Sequence, residues 1–112
     1  MHELGITRNV VAIVGEAAKG RRVRRVTLEI GKLSGVMAEA VRFCFELVAQ
    51  GTPLEGARLE IREIDGRGRC GGCGSEFAMP ELFTACACGA RRTQLLAGEE
   101  LNIKTMELEE AA

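Results

Sequence analysis

The sequence predicts an α+β fold: a small body of two helices and three strands, with a cysteine-bearing lobe inserted between the second and third strands. Three observations point there. Apolar residues recur at three- and four-residue steps in two stretches and alternate with polar ones in three others. Four of the five cysteines fall between Cys70 and Cys88. Glycines bracket that window, at Gly66, Gly68 and Gly98. A chain of 112 residues that is 46% hydrophobic suits one compact unit with a small appendage. With four Phe and no Trp or Tyr, its core must be mainly aliphatic.

The first helix is expected from about Glu3 to Ala18, where Ile6, Val10, Ile13, Val14 and Ala17 share a face and Gly20 stops the helix. Arg21 to Leu33 reads as a strand, with Val26, Leu28 and Ile30 alternating against Thr27 and Glu29. The basic cluster Arg21, Arg22, Arg24 and Arg25 reads as a solvated strand start; a phosphate or acidic-partner site is the alternative. A second helix is expected from about Val36 to Gln50, burying Val41, Cys44, Phe45 and Val48, with Gly51 and Pro53 ending it. Cys44 is read as a small buried hydrophobe. Ala57 to Ile64 gives the second strand, and Leu101 to Leu108 the third, with a bulge expected at Lys104-Thr105. The connections near Gly66-Gly68 and Ala97-Gly98 are expected to be flexible. The division is then a body of residues 1–67 and 96–112 and a lobe of residues 68–95.

Within the lobe, Cys70-Gly-Gly-Cys73 is followed after twelve residues by Cys86-Ala-Cys88. Two close pairs of thiols joined by a short loop are what a tetrahedral Zn²⁺ site needs, each sulfur at about 2.3 Å. Two disulfides, or a rubredoxin-like iron site, are the competing readings. No apolar signal segment opens the chain, which points to a reducing cytoplasm and therefore to metal. About 26 residues cannot fold unaided, so the ion must supply much of this zinc-ribbon-like lobe's stability. Phe77, Leu82 and Phe83 are expected to cover the site. The C-x-C spacing is tighter than the C-x-x-C of a zinc ribbon and should strain or reorient the second knuckle.

The chain begins Met1-His2-Glu3, and His2 is the single histidine. Residues at such a position are ordinarily frayed. Yet a free α-amine, the His2 amide nitrogen and the His2 imidazole can close fused chelate rings, a planar nitrogen set suited to Ni²⁺ or Cu²⁺. Met1 should survive processing, because His2 is too large for the aminopeptidase.

A net charge of −1 gives no general attraction to nucleic acid or anionic membrane, and no apolar run approaches the roughly 20 residues of a membrane-spanning helix. A zinc-ribbon module for protein or nucleic-acid interaction is the rival function, since Arg67, Arg69, Arg91 and Arg92 flank the knuckles. An enzyme has little support: there is no second histidine, and a closed four-sulfur site leaves no open position.

M-H-E at the start, then VTLEIGKLSGV, AVRFCFELVAQGTPLEGARLEI, CGGC, and LAGEELNIKTMELEE near the end, resemble the HypA/HybF family of hydrogenase nickel incorporation proteins across essentially the whole chain. The resemblance implies a mixed three-stranded sheet flanked by two helices, plus the zinc lobe. It implies a nickel metallochaperone working with a HypB-like GTPase to fill the [NiFe]-hydrogenase large subunit, and in some organisms with urease maturation proteins. The nickel segment maps to Met1, His2 and Glu3, and the structural zinc to Cys70, Cys73, Cys86 and Cys88. The family pattern has a second C-x-x-C, from which this sequence departs. Exchange of the lobe or of strands between two protomers is a route to a homodimer.

Overall fold

The computed structural model describes residues 2–110. Helix α1 spans Glu3–Ala18, strand β1 Val23–Gly31, helix α2 Ala38–Val48 and strand β2 Arg58–Ile64. Strands β3 (Arg67–Cys70), β4 (Glu76–Ala78) and β5 (Thr93–Ala97) build the lobe, and β6 (Leu101–Leu108) returns to the body. The body sheet has the order β2-β1-β6 and the lobe sheet the order β4-β3-β5. β1 and β2 are parallel, joined through α2, whereas β6 runs antiparallel on the other edge. The body sheet is therefore mixed, with two flanking helices, as expected.

The register explains which residues reach the core. Val26 lies between Leu59 and Met106, and Leu28 between Ile61 and Ile103. Their side chains meet those of Val14, Val41, Phe45 and Leu54 in one aliphatic cluster. The bulge falls where the sequence places it: Thr27 faces Thr105 but Leu28 faces Ile103, so Lys104 is the residue left out of the ladder.

Helix α1 is rotated from its expected face. It buries Glu3, Thr7, Val10, Val11, Val14 and Ala18, while Ile13 is 58% exposed and Ala17 lies in solvent. An apolar count misses this face because two of its members are polar and satisfied internally. The Thr7 hydroxyl donates to the Glu3 carbonyl at 2.6 Å, and the Met37 amide donates to the Glu3 carboxylate at 2.9 Å. Lys19, at φ 53, takes the left-handed position that closes the helix, one residue before the expected Gly20. Cys44 is half-buried on α2, not enclosed, since Val41 and Phe45 turn most directly into the core.

The two connections to the lobe are packed, which corrects the expectation of flexible tethers. A Cβ on Gly31 would lie 1.9 Å from the Gly98 carbonyl oxygen, and one on Gly66 would lie 2.2 Å from that of Met79. Gly98, at φ +124, sits against Gly66 and Leu33. Hydrogen bonds seal the crossing: Leu33 amide to Gly98 carbonyl (2.7 Å), Gly31 amide to Glu100 carbonyl (2.7 Å) and Met79 amide to Gly66 carbonyl (2.9 Å). Lys32 pairs with Asp65 at 2.6 Å beside it. Glycine is needed here because backbones touch. The lobe's own strands run from Arg67 to Ala97, bracketing residues 68–95.

Candidate metal sites

The first knuckle grows from the end of β3. The Cys70 amide donates to Ser75 (2.8 Å) and the Gly74 amide returns to the Cys70 carbonyl (3.0 Å), closing a tight turn. That turn aims the amides of Gly72 and Cys73 at the Cys70 sulfur, at 3.3 and 3.4 Å. Gly72 is required by crowding: a Cβ there would lie 2.7 Å from that of Ala90. In the second pair, the Gly89 amide donates to the Cys86 carbonyl at 2.9 Å, and Gly89 absorbs the reversal at φ +90. No residue of Cys86-Ala87-Cys88 adopts a positive φ. The left-handed step falls on the following glycine, so the short spacing closes without it.

The pairs meet. Cys70 Sγ lies 3.5 Å from Cys88 Sγ, Cys73 Sγ lies 3.7 Å from Cys86 Sγ, and all four sulfurs fall within 4.8 Å of one another. A tetrahedron of sulfurs about 2.3 Å from one ion has edges of about 3.8 Å. A disulfide needs about 2.05 Å, and all four thiols are free. The donor set therefore fits a tetrahedral, thiophilic metal such as zinc.

The sulfurs differ electrostatically. Amide donation from Cys73 and Gly72 lowers the Cys70 thiol from its ordinary value. The Ser75 hydroxyl, then its amide, brings Cys73 down to about 6. Cys86 receives help from the Cys88 amide, but burial and the neighbouring thiols outweigh it and push the thiol up to about 11. A divalent ion would override this spread, because it favours the thiolate at every ligand. Ser75 was not legible as a partner of Cys73; the only signal was its position two residues on.

The expected cover is corrected. Phe77 is half-buried, Leu82 is 47% exposed, and Phe83 is 98% exposed with a left-handed backbone at φ 67. Met79, buried against Gly68, fills the lobe instead. Arg67 and Arg69 are both spent on Glu76, and Arg92 donates to the Gly71 carbonyl, which weakens a phosphate-binding reading of the knuckles.

At the other expected site, His2 is exposed at the N-cap of α1, and its carbonyl accepts from the Ile6 amide at 2.9 Å. Glu3 is buried, and its carboxylate reaches across to the start of α2. That tie between residues 3 and 37 has no local sequence signal. Met1 lies outside the described residues. No helix among the described residues is long and apolar enough to cross a membrane.

A family model described as hydrogenase/urease nickel incorporation, metallochaperone, HypA matches residues 1–108. Hydrogenase maturation factor HypA of Nostoc punctiforme is 58% identical over 110 residues, covering 98% of this chain and 97% of that protein. The Geobacter sulfurreducens factor of the same name is 53% identical, covering 97% of this chain and all of its own. A solution structure of the Ni metallochaperone HypA from Helicobacter pylori shares the fold at a TM-score of 0.66 and 21% identity, over 96% of this chain and 97% of that one. On these matches and the fold they share, the chain belongs to the HypA family of hydrogenase nickel-incorporation metallochaperones.

Proposed function

We propose that this chain binds Ni²⁺ through Met1, His2 and Glu3 and delivers it to the large subunit of a [NiFe]-hydrogenase, with a HypB-like GTPase as partner. The observation that carries the reading is His2, exposed at the N-cap of a helix that Glu3 anchors in the interior. Amide N–H groups at a helix start have no intrahelical acceptor. Deprotonating the His2 or Glu3 amide to bind metal therefore breaks no helical hydrogen bond. A planar nitrogen set selects Ni²⁺ by geometry, and protons compete for every ligand, which favours release. Urease maturation proteins are a further recipient within the same reading.

Cys70, Cys73, Cys86 and Cys88 hold a resident Zn²⁺ that folds residues 68–95, while residues 1–67 and 96–112 handle nickel. Sulfur spacings near a tetrahedral edge support this assignment. The test is metal titration of wild type and His2→Ala, starting at the native Met1. The variant should lose nickel binding and keep one zinc per chain; equal nickel affinity in both would reject the assignment.

A further inference from the structure

The basic run at the start of β1 holds more arginine than the fold uses. Arg21 donates to the Glu109 carbonyl and Arg22 to that of Glu55, tying strand ends together. Arg25 pairs with Glu60 at 3.3 Å and with Glu107. Arg24 and Arg58 make no ion pair or side-chain hydrogen bond among the described residues. Both nevertheless point into one place. A register shift between Val23 and Arg25, opposite Leu108 and Glu107, makes Arg24 the extra residue of a second bulge. Consecutive side chains of a regular strand take opposite faces; the bulge brings Arg24 and Arg25 into the same pocket. The parallel register then sets Arg25 directly beside Arg58. Like charges opposed across a ladder are destabilising. Arg24, Arg25, Arg58, Gly56 and Glu107 line an open pocket of about 280 Å³.

We propose that this pocket binds the carboxylates of an acidic peptide segment of a partner protein. The chemistry is already displayed there: Glu107 seats a carboxylate on Arg25, while Arg24 and Arg58 retain free guanidinium forks of the shape that takes a carboxylate through two bonds. Glu107 in the wall opposes the near-double charge of a phosphate more than the single charge of a carboxylate. No aromatic side chain lines the pocket to stack a base. Strand β2, which carries Arg58, lies at the edge of the sheet, so its outer backbone groups are open to an extended chain.

The test uses the full-length, zinc-loaded protein and a fluorescent hexaglutamate peptide, read by polarisation at low salt. Saturable binding is expected, weakened about tenfold or more in Arg24→Ala/Arg58→Ala and unchanged in Arg91→Ala, an exposed arginine of the lobe. Thermal denaturation supplies the second readout: Arg58→Ala should melt no lower than wild type, because it relieves the Arg25–Arg58 repulsion. No peptide binding, equal binding by the double variant, binding of inorganic phosphate in place of peptide, or a lowered melting point for Arg58→Ala would each overturn the proposal.

Discussion

Gly31→Ala tests whether the lobe is fixed to the body by backbone contact. Gly31 has no positive φ, so an added methyl brings no torsional strain of its own. Its cost is steric: the new carbon would lie 1.9 Å from the Gly98 oxygen, 2.1 Å from the Gly98 carbonyl carbon and 2.6 Å from the Glu100 nitrogen. All three are backbone atoms and cannot rotate away. The end of β1 must separate from residues 98–100, which loses the Gly31–Glu100 and Leu33–Gly98 hydrogen bonds. At about 1 kcal/mol each, with overpacking of about 1–2 kcal/mol, the sum is about 3–4 kcal/mol. Urea denaturation followed by far-ultraviolet circular dichroism measures it, and small-angle scattering should show a wider spread of body–lobe separations. A loss below about 0.5 kcal/mol, within the range of ordinary surface substitutions, would refute a packed junction.

Other predictions concern the lobe. Cys70→Ser should abolish stoichiometric zinc, measured by atomic emission, and expose the lobe to proteolysis; unchanged zinc would count against the four-sulfur site. Phe83→Gly should change stability by less than about 1 kcal/mol, since relief of a left-handed backbone offsets added chain entropy and no packing is lost. A larger loss would mean that Phe83 covers the metal site.

Most of the architecture was legible because it rests on local periodicity. The bounds of α1 and the Lys104 bulge follow from the chain's own pattern. The two cysteine knuckles were legible as close pairs of thiols, and the structure brings all four of their sulfurs within 4.8 Å of one another. What escaped depends on contacts distant in sequence. Thr7 and Glu3 enter the core only because the Glu3 carbonyl and the Met37 amide await them, so apolar counting chose Ile13 and Ala17 instead. Gly66 and Gly98 read as loose links because a glycine written in sequence does not say whether it bends freely or admits a neighbouring backbone. Phe83 read as cover because an aromatic between cysteines usually is; its left-handed turn points it outward. The arginine pocket was half visible: the run was plain, but only the register sets Arg58 beside Arg25.

The central claim is that nitrogen at the amino end carries nickel while sulfur in the lobe holds zinc. Nickel titration of zinc-loaded protein with its native Met1, followed by absorption spectroscopy and zinc analysis of the same sample, tests it most directly. One nickel per chain, bound by nitrogen without displacing zinc and abolished in His2→Ala, is the predicted result. Nickel that enters only by expelling zinc from the four cysteines, or that binds His2→Ala equally well, would contradict it.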